Sequence, residues 1–337
     1  WIQVGATIYG ESTEDQSGWS VALSADGNTV AIGARANNGN GAGLAAGHVR
    51  VFRNIQGTWS QIGDDIDGQV AGDQCGYSLS LSDDGNTVAV GEPFNDEGAV
   101  NGGQVRVFEN IQGVWTQIGN DIEGGVNGGF TGIGSSVSLS GDGNRLAIGA
   151  HGWSSGSGRV RIYERVQGGW LGVGFINGEH ASSASGWSVS LNLDGTVVAI
   201  GAIGNNGNGY AASGSVRVHE YVNGSWIQLG QDIDGEYTGD GSGYSVSVSD
   251  DGSVIAVSAY LNDGNGNDAG HVRVYENLQG TWTQIGQDID GEAAEDKSGT
   301  SVSLSADGST VVIGAPYNDG NGTDAGHTRV YRNIQGA

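Results

Sequence analysis

The chain has 337 residues, 65 of them glycine and only two proline, with 36% hydrophobic and 15% charged residues. Its formal charge of −25 argues against polyanionic partners such as DNA or RNA, because phosphate binding needs clustered cations. A single cysteine, Cys75, excludes an internal disulfide framework, and no apolar run approaches the ~18 residues that mark a membrane span.

In chain order, the first segment is "WIQVG" (Trp1–Gly5), followed by an acidic stretch. Four alternating runs then appear: "WSVALS" from Trp19, "TVAIGA" from Thr29, "HVRVF" from His48 and "TWSQIG" from Thr58. Each has strand length and period two. A tight Asp-Gly turn joins the first pair, the expected hairpin signal. The set recurs along the chain, with the turn glycine at Gly27, Gly85, Gly143, Gly195, Gly252 and Gly308, in steps of 58, 58, 52, 57 and 56 residues. The repeats are approximately 17–74, 75–132, 133–184, 185–241, 242–297, and 298–337 completed by 1–16. The last copy reads "VYRNIQGA" (330–337) without the "TWTQIG" that follows it elsewhere, and "WIQVG" supplies the missing run. Six four-stranded antiparallel sheets predict an all-β fold, a six-bladed β-propeller in one domain. Trp1–Gly5 is expected to close the ring as outer strand of the last blade, which removes exposed sheet edges.

Antiparallel order puts the one-to-two and three-to-four turns on one face. The two-to-three loops and the blade-to-blade loops lie on the other, the top, with most of the acid. Asp64, Asp65, Asp67 and Asp73 share one such loop, and Asp288, Asp290, Glu292, Glu295 and Asp296 another. Within the top loops, "NDGNGND" and "NDGNGTD" set oxygen side chains at intervals separated by glycine, as hard-cation loops do. They make Asp263, Asn265, Asp268, Asp319, Asn321 and Asp324 the candidate calcium ligands. The competing reading is that Asn, Asp and Gly only build left-handed turns. "DIDGE" (232–236 and 288–292) is placed in the blade-to-blade loops.

Every blade carries one strand-three arginine: Arg50, Arg106, Arg161, Arg217, Arg273 and Arg329. Burial between blades predicts carboxylate partners for them. His48, His271 and His327 belong to the same lattice. The outer-strand tryptophans (Trp1, Trp59, Trp115, Trp170, Trp226, Trp282) read as repeat core. Trp19, Tyr77, Trp187 and Tyr244 open four of the inner strands. They can offer flat faces to a sugar or pack against the next blade. Blade three departs most from the pattern, and it gains His151, Trp153, Arg159 and His180. His151, Arg159 and His180 are the one set there able to hold general acid–base chemistry, in the manner of a propeller-shaped polysaccharide lyase.

Taken together, "SGWSVALSADGNTVAIGA" and "SGTSVSLSADGSTVVIGAPYNDG" resemble the FG-GAP repeat, which builds the propeller head of integrin α chains and of many bacterial and algal surface proteins. "GAP" is complete at Gly314–Pro316, with "GEP" at Gly91–Pro93. Ser17, Cys75, Ile133, Ser185, Ser242 and Ser298 replace the aromatic of "FG". A bare Asp-Gly turn stands where the family carries its aspartate-rich calcium hairpin, and any calcium therefore falls to the top loops. Integrin propellers have seven blades and this chain counts six. The resemblance implies a non-catalytic extracellular recognition or adhesion module, secreted or on a cell surface, with a glycan or a matrix or surface protein as partner. Such a module would be a monomer or part of a longer chain, without direct membrane insertion. A polysaccharide-active enzyme and a purely structural unit of an extracellular assembly are the alternatives. Sequons at Asn223 and Asn321 fit secretion.

Overall fold

The computed structural model describes residues 2–39, 41–97, 100–124 and 131–334. The fold is all-β, with six antiparallel sheets in the order of the repeats: a six-bladed β-propeller. Blade one shows the plan. Ser17–Leu23, Thr29–Ala34, His48–Ile55 and Thr58–Gln61 pair in sequence order. The second strands carry small and β-branched residues, and Thr87–Glu92, Val197–Ala202 and Val254–Ala259 are buried throughout. Outer strands such as Thr58–Gln61 are largely exposed.

The chain divides into two compact units. The first is Trp1–Trp153 with Ile162–Val173, and the second is Ser154–Arg161 with Gly174–Ala337. Within each unit the core is layered between consecutive sheets. In the first, Val49 and Val51 of blade one meet Val88, Val90 and Phe108 of blade two, and Val105 and Val107 meet Ile133, Leu146 and Ile148 of blade three. In the second, Val216 and Val218 pack with Ile255 and Val257, and Ala256 and Val272 with Val311 and Ile313.

Backbones come close where the second strand meets the next inner strand. A Cβ at Gly33 would collide with the carbonyl oxygen of Gly76, and one at Gly91 with that of Gly134. Ser20 and Ser78 donate to those same oxygens at 2.7 and 2.8 Å. The glycine of the "GA" signature is thus a requirement for close approach.

Each Asp-Gly turn is closed by its own side chains. Asp26 accepts from Ser24 Oγ (2.7 Å) and from the Asn28 amide (2.9 Å), which holds its carboxyl down at about 2. Asp307 is held at about 2 by the matching Ser305 and Ser309 bonds. These aspartates serve their turns, in place of a calcium hairpin.

The outer strand differs from expectation. Strand three of blade one has eight residues, and Thr58–Gln61 covers only Phe52–Ile55. Ile66–Asp67 returns to pair with His48 and Val49. Ile122–Glu123, Ile233–Asp234 and Ile289–Asp290 do the same in blades two, four and five. The Ile-Asp pair inside the "DIDGE" segment, assigned above to a loop, is therefore the second half of an interrupted outer strand. Leaving those strand-three groups unpaired would forfeit ladder hydrogen bonds.

The expected closing ladder is not among the described pairings. The sixth sheet has three strands, Ser301–Leu304, Thr310–Ala315 and His327–Arg332, and residues 2–5 carry no strand. Trp1 lies outside the described residues. Outer strands elsewhere follow their neighbours through a short glycine turn, which residues 2–5 lack. Their place in the repeat still shows. The Trp59 indole donates to Val4 O (2.8 Å), just as Trp115 donates to Ile62 O and Trp282 to Leu229 O (both 2.8 Å).

Four strand-three arginines stitch one blade to the outer strand before it. Arg106 donates to Asp67 O (2.7 Å), Arg217 to Asn177 O and Arg273 to Asp234 O (both 2.7 Å), and Arg329 to Asp290 O (2.6 Å). Arg50 makes the equivalent bond to Tyr9 O (2.6 Å), which lies outside any strand. Carboxylates complete the lattice: Glu11 for Arg50, Glu179 for Arg217, Glu236 for Arg273 and Glu292 for Arg329. Blade two swaps the arrangement. Gln69 occupies the glutamate position, and the carboxylate comes instead from Glu92, fully buried against Arg106 Nε (2.7 Å) and Gln104.

Removing one partner of a buried ion pair costs about 3–5 kcal/mol. Glu92→Ala should therefore lower unfolding free energy by roughly that amount in a urea titration, and Gln69→Glu should restore part of it. Equal loss in the double variant would show that the carboxylate cannot serve Arg106 from the place it holds in other blades.

Candidate ligand-binding surface

The aromatic residues at the starts of the inner strands come together in pairs. In the first unit the Trp19 and Tyr77 rings are 5.8 Å apart and tilted by 49°, and Tyr77 meets Phe94 edge-on at 5.9 Å. The Arg35 guanidinium lies 3.2 Å over the Trp19 ring and is tied to Gln16 at 2.9 Å. Trp19 stays 48% exposed. In the second unit Trp187 and Tyr244 are 5.7 Å apart, and Tyr244 lies 3.9 Å from Tyr260. These rings pack on neighbouring blades, and Trp19 still presents surface. Arg35 and Phe94, which the sequence reading did not single out, stand just after the "GA" and "GEP" signatures.

Much of the top-loop acid is committed to structure. Asp73 is buried, accepting from the Val70 amide (3.0 Å) and Asn95 Nδ2 (3.2 Å), and burial pushes its carboxyl up. Asp240 and Asp296 repeat the arrangement with Asn262 and Asn318. In the predicted cation loops, Asp263 Oδ1 accepts the Asp268 amide (2.9 Å) and Asp319 Oδ1 the Asp324 amide (2.8 Å). Asn265 donates to Gly291 O (2.8 Å) and Glu292 O (3.2 Å). Asn321 is exposed. Asp268 and Asp324 adopt left-handed φ of 51°. These bonds and dihedrals are those of left-handed turns.

Blade three divides between the units. In the first, His151 Nδ1 lies 2.9 Å from Ser135 Oγ, burial holds the imidazole below its usual range, and Trp153 packs on the core. In the second, Arg159 donates to Asn177 Oδ1 (2.7 Å) and lies 4.3 Å over the Phe175 ring, while His180 is exposed.

His48 and His271 are 1% exposed, and each stands between two carboxylates. His48 Nδ1 lies 3.8 Å from both Glu11 Oε2 and Asp65 Oδ2. His271 Nδ1 lies 3.9 Å from Glu236 Oε2 and 4.0 Å from Asp288 Oδ2. His327 keeps the glutamate, Glu292, at 3.6 Å.

Residues 289–331 match the FG-GAP repeat family. The chain carries an FG-GAP repeat. The matched stretch runs from the end of blade five through the three strands of blade six, and it holds the complete "GAP" at 314–316. No curated protein matches the chain in sequence. Among solved structures the propeller is similar to a candidate 6-phosphogluconolactonase from Bacteroides uniformis, with TM-score 0.65 and 14% identity over 94% of this chain and 81% of that one. A second, from Bacteroides fragilis, gives TM-score 0.61 and 15% identity over 94% and 80%. Similarity at this level describes the fold.

His219 gives the propeller's stability a pH dependence. Burial, with Arg217 beside it, lowers its pKa from 6.5 to about 4. Between those values the unfolded chain binds the extra proton, so this residue makes stability fall as pH is lowered through that window. The melting temperature should drop from pH 7 to pH 5, and His219→Gln should make the drop shallower. An unchanged slope would mean that His219 is not what couples folding to protons.

Proposed function

We propose that the protein is a non-catalytic extracellular recognition module that binds a glycan on its exposed aromatic residues. The observation that carries this reading is the Arg35–Trp19–Tyr77–Phe94 set. A half-exposed indole beside a tilted phenol presents flat apolar faces to the C–H faces of a sugar, and the stacked guanidinium adds N–H donors for its hydroxyls. Trp187, Tyr244 and Tyr260 provide a second set of the same kind. Several further facts support a module of this class. The resemblance to the FG-GAP repeat implies a recognition module, both sequon asparagines are exposed, and Arg159 is engaged by Asn177 and Phe175 and so not free for an acid–base role. Calcium at the Asn-Asp-Gly-Asn loops would act through the carboxylate oxygens that the turns leave over.

A glycan array with and without calcium identifies the ligand, and titration of the best hit measures its affinity. Trp19→Ala should weaken binding about tenfold, or ~1.4 kcal/mol, with the melting temperature nearly unchanged. Full affinity in the Trp19→Ala, Tyr77→Ala double variant would remove the aromatic set from the binding site.

A further inference from the structure

The outer strands and strand-three residues assemble one constellation that the glycan reading does not use. In blade one, Asp65 spends Oδ1 on Gln61 Nε2 (2.7 Å) and turns Oδ2 to His48 Nδ1. Glu11 spends Oε1 on Arg50 Nη1 (3.5 Å) and turns Oε2 to the same nitrogen. Blade five repeats every element. Gln284 holds Asp288 Oδ1 (2.7 Å), Arg273 holds Glu236 Oε1 (3.5 Å), and both free oxygens face His271 Nδ1.

At 3.8–4.0 Å the imidazole nitrogen is too far to hydrogen-bond either carboxylate. The rings of His48 and His271 are both buried, and Nε2 of each has no hydrogen-bond partner among the described residues, while Nδ1 faces the two carboxylates. Donor atoms around a tetrahedral ion with bonds of ~2.1 Å stand about 3.4 Å apart. The nitrogen–oxygen pairs at 3.8–4.0 Å therefore need to close by roughly half an ångström, and all three donor atoms already lie within 4.8 Å of one another. The orienting glutamine and arginine do what outer-shell partners of metal ligands do, fixing each carboxylate so that one oxygen points inward. Blades two and four keep the Gln–Asp clamp (Gln117–Asp121 and Gln228–Asp232, both 2.6 Å) but place Gln104 and Ser215 where the histidine stands. The clamp is therefore scaffold, and the histidine turns it into a ligand set.

We infer that Glu11–His48–Asp65 and Glu236–His271–Asp288 are two equivalent sites for a divalent transition-metal ion of the zinc class. One imidazole nitrogen and two carboxylate oxygens make a three-ligand set that favours zinc over calcium or magnesium, which take oxygen shells. The fourth position belongs to water, since the Glu11 and Glu236 side chains are 45% and 36% exposed.

Calorimetric titration of zinc into tag-free, chelator-stripped protein tests this, with visible absorption of bound cobalt(II) as a second readout. Two sites are expected, matching the two triads. His48→Gln and His271→Gln should each remove one, and the double variant both. Gln104 occupies this position natively and is fully buried, so the substitution fits the fold. Asp65→Asn with Asp288→Asn provides an independent pair that should also abolish binding. Failure of zinc to saturate below about 100 μM, or two sites persisting in either double variant, overturns the assignment. Glycan binding by the aromatic set is read separately and is not affected by that outcome.

Discussion

The arginine that reaches back from strand three to a carbonyl of the preceding outer strand is the contact on which the rest depends. An outer strand such as Thr58–Gln61 has four residues, pairs on one side and is mostly exposed. Its continuation at Ile66–Asp67 adds only two paired residues. The charge-assisted bond from Arg106 to Asp67 O fixes that short segment to the next blade, and Arg273 does the same for Asp234. In each histidine–carboxylate triad the glutamate is held by such an arginine, Glu11 by Arg50 and Glu236 by Arg273.

The repeat keeps its contacts by changing residues together. Blade two has glutamine where blades one, four, five and six have glutamate, and it recovers the charge through Glu92, in the alanine position of the "GA" signature. Blade three has Ser135 and His151, hydrogen-bonded to each other, where blade one has Trp19 and Arg35, stacked on each other. Blades one and five each add to the shared lattice a buried histidine between two carboxylates.

The six repeats, their hairpin turns and the all-β fold were legible in the sequence, because period-two runs and Asp-Gly turns are local signals. The interrupted outer strand was not. "QIGDDID" reads as strand end followed by loop, and only pairing with an eight-residue neighbour shows that it returns. The arginine partners were half legible. Burial requires a carboxylate, but a main-chain carbonyl leaves no mark in composition. Asp73 and Asp296 were read only as part of the acidic top loops, whereas they and Asp240 are buried on asparagines of the next blade. The histidine triads could have been found from the Gln-x-x-x-Asp spacing at Gln61–Asp65 and Gln284–Asp288, which recurs in blades two and four. Without the outer strand's continuation, nothing placed that aspartate beside a strand-three histidine.

Hydrogen exchange on Arg273→Leu tests most directly whether the arginine stitch holds the outer strands. The amides of Ile233, Asp234 and Gly235 should exchange faster in this variant, while those of Val254–Ala259, in the middle of the next sheet, keep their protection. Unchanged protection at residues 233–235, or an equal loss across both segments, would contradict the account.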